Sequence, residues 1–191
     1  MANVNRVNGF TPVRHLNGAP YNGQVNRYCF TTADGTATFV GDLVKLSGTG
    51  HTDGTPSLAQ AAAGDAVIGV LVGLEPDPTN LGLRHRTAST FRYAYVADDP
   101  SLIFEAQEDS VGNNLAVTEI GLCTNVTVGA GVTATGASGM QIDSSDTATD
   151  SAGQLRIMRL VPREDNAIGT NAKWEVMIAE HSYNGGTAVD V

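Results

Sequence analysis

At 191 residues the chain has room for one domain with a sizeable core, and a composition with 6% aromatic residues, 16% charged residues and 22 glycines describes a turn-rich β protein built from Val, Leu, Ile and Ala. The net charge of −9 is uneven: Arg6, Arg14 and Arg27 precede the first acid, Asp34, so a leading segment of about +3 meets a remainder of about −12, eight basic residues against twenty acidic. An acidic body repels phosphates and three dispersed arginines make no dense patch, which argues against nucleic acid; with no apolar leader and no run of membrane-spanning length, no membrane is expected and synthesis is expected in a cytosol.

Residues 1–27 are rich in Asn and Gly, contain Pro12 and Pro20, and show neither helical nor alternating periodicity. They are predicted to form an extended arm, bent at the Asn-Gly pairs that begin at Asn8, Asn17 and Asn22. Val4, Val7, Phe10, Val13, Leu16 and Tyr21 punctuate the segment, and a purely solvating tail has little use for such side chains. The arm therefore reads as a segment suited to lying on another surface, and residues 28–191 read as the body.

VNRYCFT and TATFVGDLVKLSG are the first strand-like stretches, and PSLAQAAAGDA offers one short helical turn. Gly64 to Pro78, GDAVIGVLVGLEPDP, is the longest nearly unbroken apolar run. Its β-branched Val67, Ile68, Val70 and Val72 favour a strand buried on both faces, with Gly69 and Gly73 marking a bulge or a close backbone approach. FRYAYVA places Phe91, Tyr93 and Tyr95 on one face, and SLIFEAQEDS places Leu102, Phe104 and Ala106 on one face. Joined across Asp98-Asp99-Pro100, the two are predicted to form an antiparallel hairpin.

LAVTEIGLCTNVTVG, broken by Gly121, reads as one kinked strand or two short ones, and the Gly-rich stretch after it reads as a loop around Met140 to Ile142. LRIMRLV is a strand stopped by Pro162, and KWEVMIAEHSY closes the body with Trp174, Val176 and Ile178 on one face. Short strands with frequent turns and no helix of ordinary length predict an all-β fold: an antiparallel β-sandwich or β-barrel body with an extended N-terminal arm.

Chemistry-bearing residues are scattered. Cys29 and Cys123 have no metal spacing and read as small buried hydrophobes; His15, His51, His85 and His181 lack ligand spacing; the serines lack a nucleophile elbow. Gly129 to Gly136 has neither the lysine nor the following helix of a phosphate loop, and the acidic clusters Asp98-Asp99, Glu105 with Glu108-Asp109, and Asp143 to Asp150 follow no EF-hand pattern. The Asn125 glycosylation triplet reads as chance without a secretory signal. The expectation is a protein that is not an enzyme and has no cofactor or metal.

Taken together, NVNRVNGFTPVRHLNGAPYNGQ at the start, FVGDLVKL, AVIGVLVG, GASGMQIDSS and NAKWEVMI resemble structural proteins encoded near the major capsid gene of tailed bacteriophages, over most of the chain. The resemblance implies a head decoration, or cement, protein: a β-rich virion subunit, commonly a homotrimer, that binds the outer capsid surface and stabilises the shell by bridging subunits of the major capsid protein. The form G-D-x-V followed by I-G-V-L also occurs in lambdoid decoration proteins, which are much shorter. The resemblance brings no catalytic residues. On this reading Phe10, Val13, Leu16 and Tyr21 anchor the arm on the capsid, while Arg6, Arg14 and Arg27 pair with capsid carboxylates. The alternative is a virion-surface carbohydrate-binding or host-recognition module, whose signature is exposed aromatic side chains beside Asp or Asn. Tyr93, Tyr95 and Trp174 are its candidates, although alternation points them toward the core. A hydrolase would need Glu105 and Glu108 together in a pocket.

Overall fold

The computed structural model describes residues 3–147 and 153–184, and within them the fold is all β, with twelve strands and a single turn of 3-10 helix at Val117–Glu119. The strands are β1 (Thr11–His15), β2 (Asn26–Phe30), β3 (Leu43–Gly50), β4 (Pro56–Gln60), β5 (Gly69–Leu74), β6 (Arg92–Ala97), β7 (Leu102–Gln107), β8 (Cys123–Thr124), β9 (Val126–Thr127), β10 (Gln141–Ile142), β11 (Leu155–Leu160) and β12 (Lys173–Ile178). Five of them close a barrel in the order β2-β4-β3-β5-β6, in which β2 and β4 run parallel and the other pairs antiparallel. Five more form an antiparallel sheet in the order β1-β7-β12-β11-β8, and β9 and β10 make a two-stranded ribbon.

The apolar run around β5 is the wall these two parts share. Ile68 and Leu71 point into the barrel with Tyr28, Phe30, Val44, Leu58, Ala94 and Val96. Val67 and Val70 point the other way, and with Leu43 and Ala97 they join the core under the open sheet, where Phe104, Leu155, Trp174 and Val176 lie. A strand apolar on both faces is what such a wall requires. Both glycines of the run have work of the expected kind: a Cβ on Gly69 would collide with the Ala97 carbonyl oxygen, and the β5–β6 register slips between Leu71 and Gly73.

Two predicted elements take other forms. The stretch read as a helical turn is β4, with Ser57 and Leu58 buried, because pairing to β2 and β3 supplies the hydrogen bonds that so short a helix could not keep. The predicted hairpin is a crossover instead. β6 pairs with β2 and β5 in the barrel, β7 pairs with β1 and β12 in the sheet, and Asp98-Asp99-Pro100 carries the chain between them. Asp98 is held on the barrel side by the Tyr28 hydroxyl at 2.7 Å and by Asn26 Nδ2 at 3.0 Å, while Asp99 faces the sheet side, 3.2 Å from His15 Nδ1.

Buried polar side chains fasten the rest. Arg86 is fully buried and uses all five donors: Nε to Thr90 O, Nη1 to Asp34 Oδ2 and Thr36 O, Nη2 to Thr31 O and Asp34 O, at 2.6–2.9 Å. Gln154 joins the two halves, donating from Nε2 to the carbonyls of Ala62 and Asp65 at 2.7 Å and accepting from Val126 N at 3.2 Å. Cys29 and Cys123 are free thiols and buried.

Candidate functional site

The leading segment is built into the body. β1 pairs with β7 through Thr11 with Glu105, Pro12 with Phe104, Arg14 with Ile103 and His15 with Leu102, the register shifting at Val13. The chain then doubles back, so that Tyr21 N donates to Val13 O at 3.1 Å and His15 N to Ala19 O at 2.8 Å, covering the outer edge of β1. At the entry, Gly9 adopts φ 71° against Gly41 and Ser138, where a Cβ would collide with both, which explains the first Asn-Gly pair.

The seven predicted arm contacts separate accordingly. Phe10 is 2% exposed and belongs to the main core, so it anchors the segment to its own chain. Arg14 Nη2 lies 2.6 Å from Glu175 Oε2, and Arg27, on β2 of the barrel, pairs with Glu75 at 3.2 Å and lies over the Tyr93 ring. Tyr21 is half-buried against the main core. Arg6, Val13 and Leu16 face solvent, joined by the exposed Val4. This internal pairing leaves no trace of alternation in the sequence, because β1 is five residues long, contains a proline and is bulged.

Beside this segment opens a groove of about 450 Å³. Phe10, Pro12, Val40, Val72 and Ala137 give its lining a largely apolar character, with Asn8, Thr11 and Thr135 as the uncharged polar members. The Gly-rich loop after β9 closes it: Val40 N donates to Gly136 O at 3.1 Å, Ser138 N to Val40 O at 2.9 Å, and Gly136 sits at φ 76° where a Cβ would strike the Arg84 backbone. Arg84 is the sole ionisable residue on the lining, is exposed, and makes no ion pair among the described residues. Behind the groove wall, Asp42 is buried; its Oδ2 accepts from Phe39 N and Gln60 Nε2, its Oδ1 has no partner, and burial raises its pKa. The sequence held the wall residues, but nothing in it placed positions 10, 72, 84 and 136 together.

The solvent face of the open sheet carries charge. Glu105 and Glu175 stand opposite each other, a like-charge pair offset by Arg14 and Arg159 on Glu175 and by Arg163 and Lys173 on Glu105, at 2.6–3.4 Å. Burial alone would raise the Glu175 carboxyl, but hydrogen bonds from Arg159 and Arg14 outweigh it and hold the group below the usual range. Glu108, by contrast, is fully buried and accepts from Leu115 N at 2.8 Å, Ser110 Oγ at 3.2 Å and Trp174 Nε1 at 3.3 Å. Glu105 is taken up by ion pairs on the sheet surface and Glu108 by donors in the interior, so the hydrolase pairing has no geometry to support it. Among the described residues no group of three His, Cys, Asp or Glu could hold a metal; Asp150 lies outside those residues. An apolar groove with one guanidinium at its edge is suited to binding. No protein-family model, curated protein or solved structure matches the chain.

Proposed function

We propose that the chain is a structural virion protein that decorates the outer surface of a phage head, as a homotrimer, and cements the shell by contacting neighbouring major capsid protein subunits. The observation that supports this reading is the surface formed by the leading segment and its groove: the aliphatic Val4, Val13 and Leu16 and the cation Arg6 project from a segment held rigidly on an all-β body, next to an apolar groove edged by Arg84. Exposed apolar side chains with a positive rim are suited to a partner with acidic rims around an apolar patch. Cementing then follows from multivalency: a trimer that engages several subunits at once makes each shell contact harder to separate than any single contact would be. The segment acts here as a pre-ordered ridge, which avoids the ordering cost of a free arm.

The test is co-sedimentation with expanded, undecorated heads of the cognate phage. Removing residues 1–27 would also remove β1 and Phe10 from the core, so surface substitutions are used instead. The wild-type chain is expected to pellet with heads, and Arg6→Glu combined with Leu16→Asp to lose binding while keeping the wild-type melting temperature. A wild-type chain left in the supernatant would end the decoration reading. Equal binding by the double variant would move the contact away from the leading segment, and Arg84→Glu then tests the groove alone.

A further inference from the structure

The outer wall of the barrel carries a second constellation, unrelated to the groove. Alternation along β6 sends Arg92, Ala94 and Val96 inward and leaves Phe91, Tyr93 and Tyr95 on the solvent side, the reverse of the expectation that Tyr93 and Tyr95 fill the core. Trp174, the third candidate for an exposed ring, is fully buried in the main core. The β3–β4 turn brings His51 against the strip: its ring centroid lies 4.6 Å from that of Phe91 and 6.0 Å from that of Tyr93, and Phe91 meets Tyr93 edge to face at 5.0 Å. The Arg27 guanidinium sits 3.5 Å from the Tyr93 centroid.

Two carboxylates flank these rings, each fixed in place. Asp53 accepts from the Tyr93 hydroxyl at 2.6 Å and from Thr55 N at 2.9 Å, and its Oδ1 is 3.0 Å from His51 Nδ1. The Tyr93 and Thr55 hydrogen bonds hold its pKa well below the usual carboxylate range, so it stays an acceptor. Glu75 receives the Tyr95 hydroxyl at 3.3 Å and Arg27 Nε at 3.2 Å. Phe91 is 37% exposed, and the side chains of His51, Asp53, Arg27 and Glu75 are 34–46% exposed. The barrel interior is already filled by another set of residues, so folding does not demand rings on this side.

We propose that this strip is a carbohydrate-binding platform for neutral pyranoses. A pyranose presents an apolar C–H face, which stacks on an exposed aromatic ring, and equatorial hydroxyls, which donate to oriented carboxylates and accept from a guanidinium. Phe91 and His51 supply the ring surface, Asp53 and Glu75 the acceptors, and Arg27 the donor. With two carboxylates against one guanidinium the strip repels sialates, uronates and phosphorylated sugars, which sets the ligand class. The platform shares Arg27 with the leading segment but none of Val4, Arg6, Val13, Leu16 and Arg84, on which the decoration reading rests, so the proposal extends that reading without depending on it.

The test is an NMR titration of the ¹⁵N-labelled full chain with glucose, galactose, mannose, rhamnose and N-acetylglucosamine, with glucuronate and N-acetylneuraminate as charged counterparts. At least one neutral sugar is expected to shift the amides of residues 50–55 and 91–95, with a dissociation constant of about 1 mM for a single residue. Phe91→Ala should weaken that binding about tenfold or more, as removal of a central aromatic contact does, and Phe91→Tyr should retain it. No shift with any neutral sugar overturns the proposal, as do shifts unchanged in Phe91→Ala, or a charged sugar that binds as well as its neutral counterpart. A changed sedimentation coefficient in Phe91→Ala would also overturn it and assign the strip to self-association. Head binding by Phe91→Ala, measured in parallel, should remain at the wild-type level, which keeps the fate of this platform distinct from that of the decoration reading.

Discussion

The barrel takes five strands that follow one another between Asn26 and Ala97, whereas the open sheet gathers β1, β7, β8, β11 and β12 from Thr11 to Ile178. Closure leaves the barrel without free edges, and its interior is a small cluster of eight buried side chains from Tyr28 to Val96. The sheet has one face on the shared core and the other covered by the Glu105 and Glu175 charge row. The difference shows where each half obtains its stability. The barrel interior is thin, so a fully hydrogen-bonded arginine reinforces its loops, and its outer wall at β3, β5 and β6 is completed by the sheet. Neither half encloses the larger core without the other.

The strongest way to break that account is Arg86→Met. Losing the guanidinium strands the Asp34 carboxylate and several carbonyls, and the expected cost is about 3–5 kcal/mol. The sole tryptophan, Trp174, reports on the sheet, so urea unfolding followed by its fluorescence and by far-UV circular dichroism should show one transition at a lower midpoint in both signals. A fluorescence midpoint left at the wild-type value would mean that the halves unfold separately. Gly69→Ala forces a methyl group onto the Ala97 carbonyl within the shared wall and should cost up to about 3 kcal/mol, again in both signals. A loss confined to the dichroism would place the strain inside the barrel alone.

Gln154→Leu removes the amide that ties the sheet to the 62–65 loop and leaves two carbonyls without that donor, for about 1–2 kcal/mol by the same denaturation assay. The smallest effect is on pH dependence. His181 accepts from Tyr183 N on Nδ1 and faces Asp98 O with Nε2, and burial pushes its pKa below the ordinary value. Above neutrality it is uncharged in both the folded and unfolded chains. As the pH falls through about 6.5 the unfolded chain takes up the proton first, so stability declines until the folded-state pKa is reached. His181→Gln should flatten the fall in melting temperature between neutral and mildly acidic buffer, and an unchanged slope would relieve His181 of that role.

Much of the fold was legible where one strand sits between two environments. β5 announced itself by apolar residues on both faces, and β12 by Trp174, Val176 and Ile178 in strict alternation, because burial on a pleated strand writes itself at a period of two. The partners of each strand were not legible. Asp98-Asp99-Pro100 has the composition of a hairpin turn, and only the tertiary placement of β1 and β12 beside β7 makes it a crossover. Of the leading-segment residues singled out from the sequence, Arg6, Val13 and Leu16 stand exposed, whereas Phe10 enters the core, Arg14 pairs with Glu175 and Arg27 pairs with Glu75 on the barrel surface, and partners so distant in sequence were not legible. Alternation also fixed which residues of β6 share a face without saying which face is wet, and so Tyr93 and Tyr95 were assigned to the wrong side, while Trp174 lies in the core as expected.

The contiguity of the barrel has a consequence for the order in which the chain takes shape. During synthesis every barrel strand is available once residue 97 has emerged, whereas the first strand made, β1, must wait for β7, and β7 in turn waits for β12 at 173–178. Until that last strand arrives, Leu43, Val67 and Val70 lack the sheet residues that cover them in the finished fold and remain a sticky apolar stretch. At the usual pace of translation that interval lasts several seconds, which makes the nascent chain, more than the finished protein, the form most in need of a chaperone.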